Sequence, residues 1–273
     1  MSISATDAGR LLAPDEPPPV LELNRQGRSD FVITVDHASR RIPRCLGDLG
    51  LPAAELTRHI AWDIGALAVA RLTAEALDAV LVAQNYSRLV IDCNRPLDSL
   101  SSIPLISEHV AIPGNRDLTA EQIAVRRDAI FHPYHDHLRR LLDQRRAEGR
   151  ATILIAQHSM TDIFKGARRE MHAAALYNRD RRFALSFVEQ LRRDPALIVA
   201  DNQPYFLSDE TDYTIPVHGE RRGLPHVEIE IRQDLIAEEA GQEEWADRVV
   251  RALRGAEQVL LHAAKQAAPQ FID

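Results

Sequence analysis

Residues 151–156 read Ala-Thr-Ile-Leu-Ile-Ala, a run too short for a helix and apolar without alternation. That pattern describes a strand covered on both faces, and such a strand requires layers of helix above and below its sheet. The flanking sequence supplies them. Thr119 with Gln122 three residues later can form a capping box, which opens a helix running towards Gly149. Asp63–Leu77 repeats apolar residues at helical spacing through Ile64, Leu67, Ala68 and Leu72, and further helices are expected near Arg181–Arg193 and over Gln242–Lys265. Between them lie short strand-like runs at Phe31–Val35, Val80–Ala83, Leu89–Ile91, Ala173–Tyr177 and Leu197–Ala200, then alternating Val227, Ile229 and Ile231. Strands that alternate with helices in this way predict an α/β fold with a mostly parallel or mixed sheet.

Two segments stand outside that rhythm. Residues 1–25 carry Pro14, Pro17, Pro18 and Pro19 and are read as a flexible arm, which leaves 26–273 as one domain. Pro96 through Leu118 shows little periodicity and is read as a long loop of the kind that carries function. Forty acidic against 33 basic residues give a net charge of −7, with no basic run, so a nucleic-acid partner is not expected and a small molecule is. Cys45 and Cys93, without a CxxC pair or a leader, suit a reducing cytoplasm, and no apolar window is long enough to cross a bilayer. The sequence does not indicate an oligomeric state.

Three of the expected strands end in polar residues: Asp36-His37, Asp92-Cys93-Asn94-Arg95 and Gln157-His158-Ser159. In open α/β sheets ligands bind at the carboxyl ends of the strands. A single strand-end His is usually structural, but His37 and His158 beside acidic residues form two-thirds of a hydrolytic metal site, which takes two imidazoles and a carboxylate and keeps one position open. Asp36, Asp63 and Asp92 all qualify as the carboxylate; Asp63 equally suits the cap of the helix it precedes. The pair His132 and His135 in His-Pro-Tyr-His ranks second, since such a spacing more often serves packing.

Alternation places Glu228, Glu230 and Arg232 on one face of a strand, opposite Val227, Ile229 and Ile231. A solvated edge is the commoner meaning of that pattern. If the strand borders the site, Glu230 can take a proton from an attacking water and deliver it to a leaving nitrogen. Asn94-Arg95 and Arg88 offer guanidinium forks for a substrate carboxylate.

These residues also form a familiar series: Val35-Asp36-His37-Ala38-Ser39, Ala61-Trp62-Asp63-Ile64-Gly65, Gln84 through Asp92, Asn94-Arg95-Pro96, Ile112-Pro113-Gly114-Asn115, Phe131-His132-Pro133-Tyr134-His135 and His158-Ser159. Together they resemble the N-formylglutamate amidohydrolase family, from about Phe31 to Leu235. The resemblance implies a three-layer α/β/α sandwich with a mixed, mostly parallel sheet like that of the zinc exopeptidases. It also implies one Zn2+ held by His37, His158 and a carboxylate, Glu230 as catalytic base, and a substrate carboxylate held by Asn94 and Arg95, with Arg88 the further candidate read from the residues. Zinc carboxypeptidases take their carboxylate ligand three residues after the first His; Arg40 stands there in this chain, so Asp63 is the expected third ligand. The implied reaction removes a small acyl group, formyl, from an acidic amino acid such as N-formyl-glutamate, in amino-acid degradation. Hydrolysis of other N-acyl amino acids, a carboxypeptidase-like activity and a non-catalytic carboxylate-binding role are the alternatives. Where many relatives read Arg-Pro-Trp-His, this chain reads Arg169-Glu170-Met171-His172, which alters the expected pocket wall.

Overall fold

A computed structural model describes residues 10–267. Its centre is a seven-stranded sheet. In chain order the strands are β1 (Val20–Leu23), β2 (Phe31–Val35), β3 (Val80–Gln84), β4 (Ile153–Met160), β5 (Ala173–Leu176), β6 (Val199–Asp201) and β7 (His226–Arg232). They lie in the order β1-β3-β2-β4-β7-β5-β6. β3, β2, β4 and β7 run parallel, β1 and β5 pair antiparallel with their inner neighbours, and β6 follows β5. The mixed, mostly parallel sheet is thus as expected.

Five helices cover it: α1 (Ala66–Leu77), α2 (Ala120–Arg126), α3 (His132–Ala147), α4 (Arg182–Leu191) and α5 (Glu239–Ala267). The odd-numbered residues of the central strands, Ile33, Val35, Ile155, Val227, Ile229 and Ile231, pack under α1, α4 and α5 with Phe187 and Trp245. Val32, Leu154 and Ala156 face the other way, with Leu142 of α3. The three layers of the sandwich follow from this alternation. Among the described residues no helix is long and apolar enough to cross a membrane.

Several elements depart from the sequence reading. Leu89–Ile91 is a turn, not a strand, because its carbonyls are claimed by side chains: Asn115 Nδ2 donates to Leu89 O and Arg126 Nη1 to Val90 O, at 2.8 and 2.9 Å. α1 begins at Ala66 rather than Asp63, and its buried face is Ala66, Val69, Ala70, Thr73, Ala74 and Leu77, a row of small residues that lets the helix lie close to the sheet. The Thr119–Gln122 capping box is present, but a wider π-helical turn at Arg127–Phe131 separates α2 from α3. The Pro-rich segment expected as an arm ends in the edge strand β1, with Tyr86 donating to Pro17 O at 2.7 Å and Leu11 buried; residues 1–9 lie outside the described chain.

β7 is not an edge. It lies between β4 and β5, and Glu228, Glu230 and Arg232 are buried, which removes the solvated-face reading.

Topology fixes where a ligand can enter. From β2 the chain passes through α1 to β3, towards one edge of the sheet, and from β4 it continues to β5, towards the other edge. Connections diverging from neighbouring parallel strands open a crevice at their carboxyl ends, here between β2 and β4.

Candidate active site

β2 delivers Asp36 and His37 to that crevice, β4 delivers His158, and the segment before α1 delivers Asp63. Asp63 is pinned from both sides, since its N–H donates to His37 O at 2.9 Å and Ala66 N–H donates to its carbonyl at 3.3 Å. Gly65, the residue before α1, has φ +78 and lies against Ile236, an approach no side chain would permit. Asp63 makes no helix cap; its carboxylate turns inward.

There it meets both imidazoles by the same ring atom. Asp63 Oδ2 lies 3.3 Å from His37 Nδ1 and 2.8 Å from His158 Nδ1, and also receives Ser159 N–H. The three ligand atoms lie within 4.8 Å of one another, and all three residues are buried. The far edge of each ring faces a further carboxylate. His37 Nε2 is 2.7 Å from Asp92 Oδ1, and His158 Nε2 is 3.3 Å from Asp36 Oδ2 and 3.8 Å from Glu228 Oε2.

Such a carboxylate behind an imidazole holds the proton on Nε2 and leaves the Nδ1 lone pair for a cation. The donor set fits a small divalent ion held by His37, Asp63 and His158. Asp36 and Asp92, the other candidate carboxylates, stand behind the rings.

The electrostatics have the same source. Burial works against a charged His158, but Glu228, Asp36 and Asp63 outweigh it and raise its pKa well above the ordinary value. Burial and Arg88 oppose charge on His37, and Asp92 and Asp63 prevail. Despite burial, the two rings hold Asp63 far into the ionised range. Burial pushes Glu230 up to about 7 and Glu228 up to about 8.

A cleft of about 500 Å³ opens above these groups, and Glu230, Arg88, Asn94 and Arg95 line it. Register sets Glu230 beside His158 on the same sheet face, with its Oε2 buried and unpartnered. Arg88 forks onto Asp92 Oδ2 through Nε and Nη2, at 3.0 and 2.6 Å, and keeps Nη1 at 3.6 Å from Asp63. Arg95 is engaged through Nη1, with Asn94 O, Thr211 O and Asp212. Asn94 faces inward, receiving the N–H groups of Tyr213 and Thr214 and donating to Glu228 Oε2 at 3.3 Å. His132 and His135 do not form a metal pair: His132 is exposed, whereas His135 is buried between Cys93 O and His218.

A sequence profile of the N-formylglutamate amidohydrolase family matches residues 29–237. The chain belongs to that family. Among curated members, the N-formylglutamate deformylase of Pseudomonas putida is 32% identical over 152 residues, 50% of this chain and 53% of that protein, so the match spans about half of the relative. The crystal structure of a gene product of Agrobacterium tumefaciens is 38% identical and superposes with a TM-score of 0.90 over 92% of this chain and 100% of that one. An N-formylglutamate amidohydrolase from Ralstonia eutropha shares the fold, at 21% identity and a TM-score of 0.64 over 90% of this chain and all of that one.

The sequence indicated only part of the rim over the cleft: Ile106–Ala111 falls in the Pro96–Leu118 loop expected to carry function, and the rest left no pattern. Two short hairpins, Ile106–Ala111 and Ile163–Arg168, meet where Lys165 N–H donates to Glu108 Oε1, and Phe164, Tyr205, Phe206 and Leu207 complete the wall. Arg169 stacks between Phe164 and Tyr205, and Arg232 of β7 donates to the carbonyls of Arg169 and Glu170. The altered Arg169–His172 stretch is therefore anchored by an arginine from β7. Single-residue patterns show no trace of that long-range contact.

Proposed function

We propose that the chain is a cytoplasmic, zinc-dependent amidohydrolase that removes the formyl group from an N-formyl amino acid, with N-formyl-glutamate as the substrate the family favours. The observation that carries this reading is the convergence of two Nδ1 atoms and one carboxylate oxygen at the foot of a cleft, beside a buried carboxyl group with an unpartnered oxygen. His37, Asp63 and His158 hold the ion; when bound, it supplies Lewis acidity at the amide oxygen and acidifies a water.

The chain's own groups do the rest. Glu230, raised by burial towards neutrality, accepts the proton of the attacking water and hands it to the departing amine, the work suited to a carboxyl group whose pKa lies near the operating pH. Arg95 turns Nε and Nη2 to the substrate carboxylate, while Nη1 anchors it to the 211–212 segment. Arg88 offers Nη1 to a substrate oxygen from a position locked by Asp92.

Amine release from N-formyl-glutamate, measured before and after chelation, tests the reading. Activity lost on chelation and restored by zinc supports it; full turnover by the chelated protein, or no turnover of any N-acyl amino acid, overturns it. A second reading draws on the rim. Phe164, Tyr205, Phe206 and Leu207 give the cleft an apolar wall suited to an N-acyl amino acid with one carboxylate and an apolar group. Comparing formyl-, acetyl- and peptidyl-amino acids with acidic and aromatic side chains separates the two.

A further inference from the structure

We infer that Asp36, clamped by Tyr134 and Thr214, is a positioning residue that fixes the ring and tautomer of His158. The inference rests on the metal reading above. Asp36 is completely buried, with no cation forked onto it. Its Oδ1 accepts two hydroxyls, Tyr134 Oη–H at 2.8 Å and Thr214 Oγ1–H at 2.9 Å. Its Oδ2 and His158 Nε2 are both buried atoms without a hydrogen-bond partner, and they face each other at 3.3 Å. Two hydroxyls on one oxygen hold the carboxylate in place and leave its other oxygen free beside His158 Nε2.

That arrangement decides which atom of the ring is available. The two nitrogens of an imidazole lie on opposite edges, so Asp36 behind His158 and Asp63 before it cannot exchange places. With the ion bound, a proton on Nε2 would be stabilised by Asp36 and the Nδ1 lone pair would be left for the ion beside Asp63. His37 reaches the same outcome by other means, for its carboxylate Asp92 is held by the Arg88 fork and by Asn94 N–H. The site thus uses two separately built supports, one cationic and one of hydroxyls. Tyr134 lies in the His-Pro-Tyr-His stretch of α3, so that motif serves the site through its tyrosine instead of its histidines.

The test uses the full chain as wild type, Asp36→Asn, Thr214→Val and Tyr134→Phe. Zinc affinity is read by competition with a chromophoric chelator, and the state of each His158 nitrogen by ¹⁵N NMR of the zinc-loaded protein. Asp36→Asn is expected to weaken zinc binding about 10- to 100-fold, the usual effect of losing a group behind a metal ligand. It should also shift His158 away from the Nε2–H form while leaving His37 unchanged. Thr214→Val and Tyr134→Phe should move both readouts the same way by smaller factors. Unchanged zinc affinity and an unchanged His158 tautomer in folded Asp36→Asn overturn the inference, and if that variant does not fold, the same result in the other two does. Wild-type protein that binds no zinc removes the metal reading itself, whereas tight wild-type binding with an equally tight Asp36→Asn removes only the role of Asp36.

Discussion

Glu228 and Glu230 differ by two positions on one strand face, and their neighbours tell them apart. Glu228 receives Asn94 and lies near the back of His158, whereas Glu230 keeps an unpartnered oxygen at the cleft. Glu230→Gln should therefore retain zinc and lose roughly 10²–10⁴-fold in kcat with little change in KM, as expected when a positioned base is removed. If Glu228→Gln is the inactive variant in the same assay, the assignment along the strand is wrong. His37→Ala and His158→Ala should each empty the site, seen as loss of zinc by elemental analysis; full occupancy in either would exclude that ring as a ligand. That His37 and His158 meet was legible from residue type and strand position, whereas Glu230 was set apart from Glu228 only by the family resemblance. Asp63 was not separable from Asp36 and Asp92 by type alone, because all three are buried carboxylates within reach of the same rings. Only geometry shows which stands in front of the imidazoles and which stand behind.

Among the elements, the strands with unbroken apolar runs were read correctly because burial on both faces leaves a pattern in the sequence. Leu89–Ile91 has the same pattern and is a turn, since Asn115 and Arg126, distant in sequence, capture its carbonyls. The α1 boundary also slipped, because the apolar spacing was followed back to Asp63 without weight given to Gly65. A Cβ at Gly65 would lie 2.1 Å from Ile236 O, and the φ of +78 is itself unfavourable for other residues. Gly65→Ala should destabilise the fold by roughly 1 kcal/mol from the backbone conformation alone, and by more through the clash. Because Asp63 lies two residues upstream, the same variant should also bind zinc more weakly. Chemical denaturation and chelator competition check the two effects, and an unaltered midpoint would show that the turn at Ile236 yields easily.

Across the whole molecule, buried titratable groups tie stability to pH. His135 donates Nε2–H to Cys93 O and accepts from His218, so burial holds it neutral and pushes its pKa down to about 4. A histidine depressed from 6.5 contributes stability that is present above pH 6.5 and is lost as pH falls towards 4, on the order of 3 kcal/mol. His37 and His158, whose pKa values are raised, contribute a term already complete below 6.5 and flat across this window. Glu228 and Glu230 pull the opposite way, since their raised pKa values favour the folded state as pH falls. The comparison is therefore between wild type and His135→Gln. Wild type should lose stability relative to the variant between pH 6.5 and 4 in urea titrations, and parallel curves would show that His135 charges without penalty.

The anchoring of the rim has a consequence for how such a protein can change over generations. The proposed base and ion ligands sit at the ends or within three central strands and beside the Gly65 turn, where the side chains are buried. The apolar wall sits on hairpins and on Tyr205–Leu207, where Phe206 is 72% exposed and free to vary while Leu207 beneath it is buried. On the proposed function, mutations at exposed positions of the wall leave the chemistry beneath unchanged, and a lineage can exchange one acyl amino acid for another by drift in a few loop side chains. Divergent preferences among relatives with the same strand-borne residues are what such a division of labour would produce.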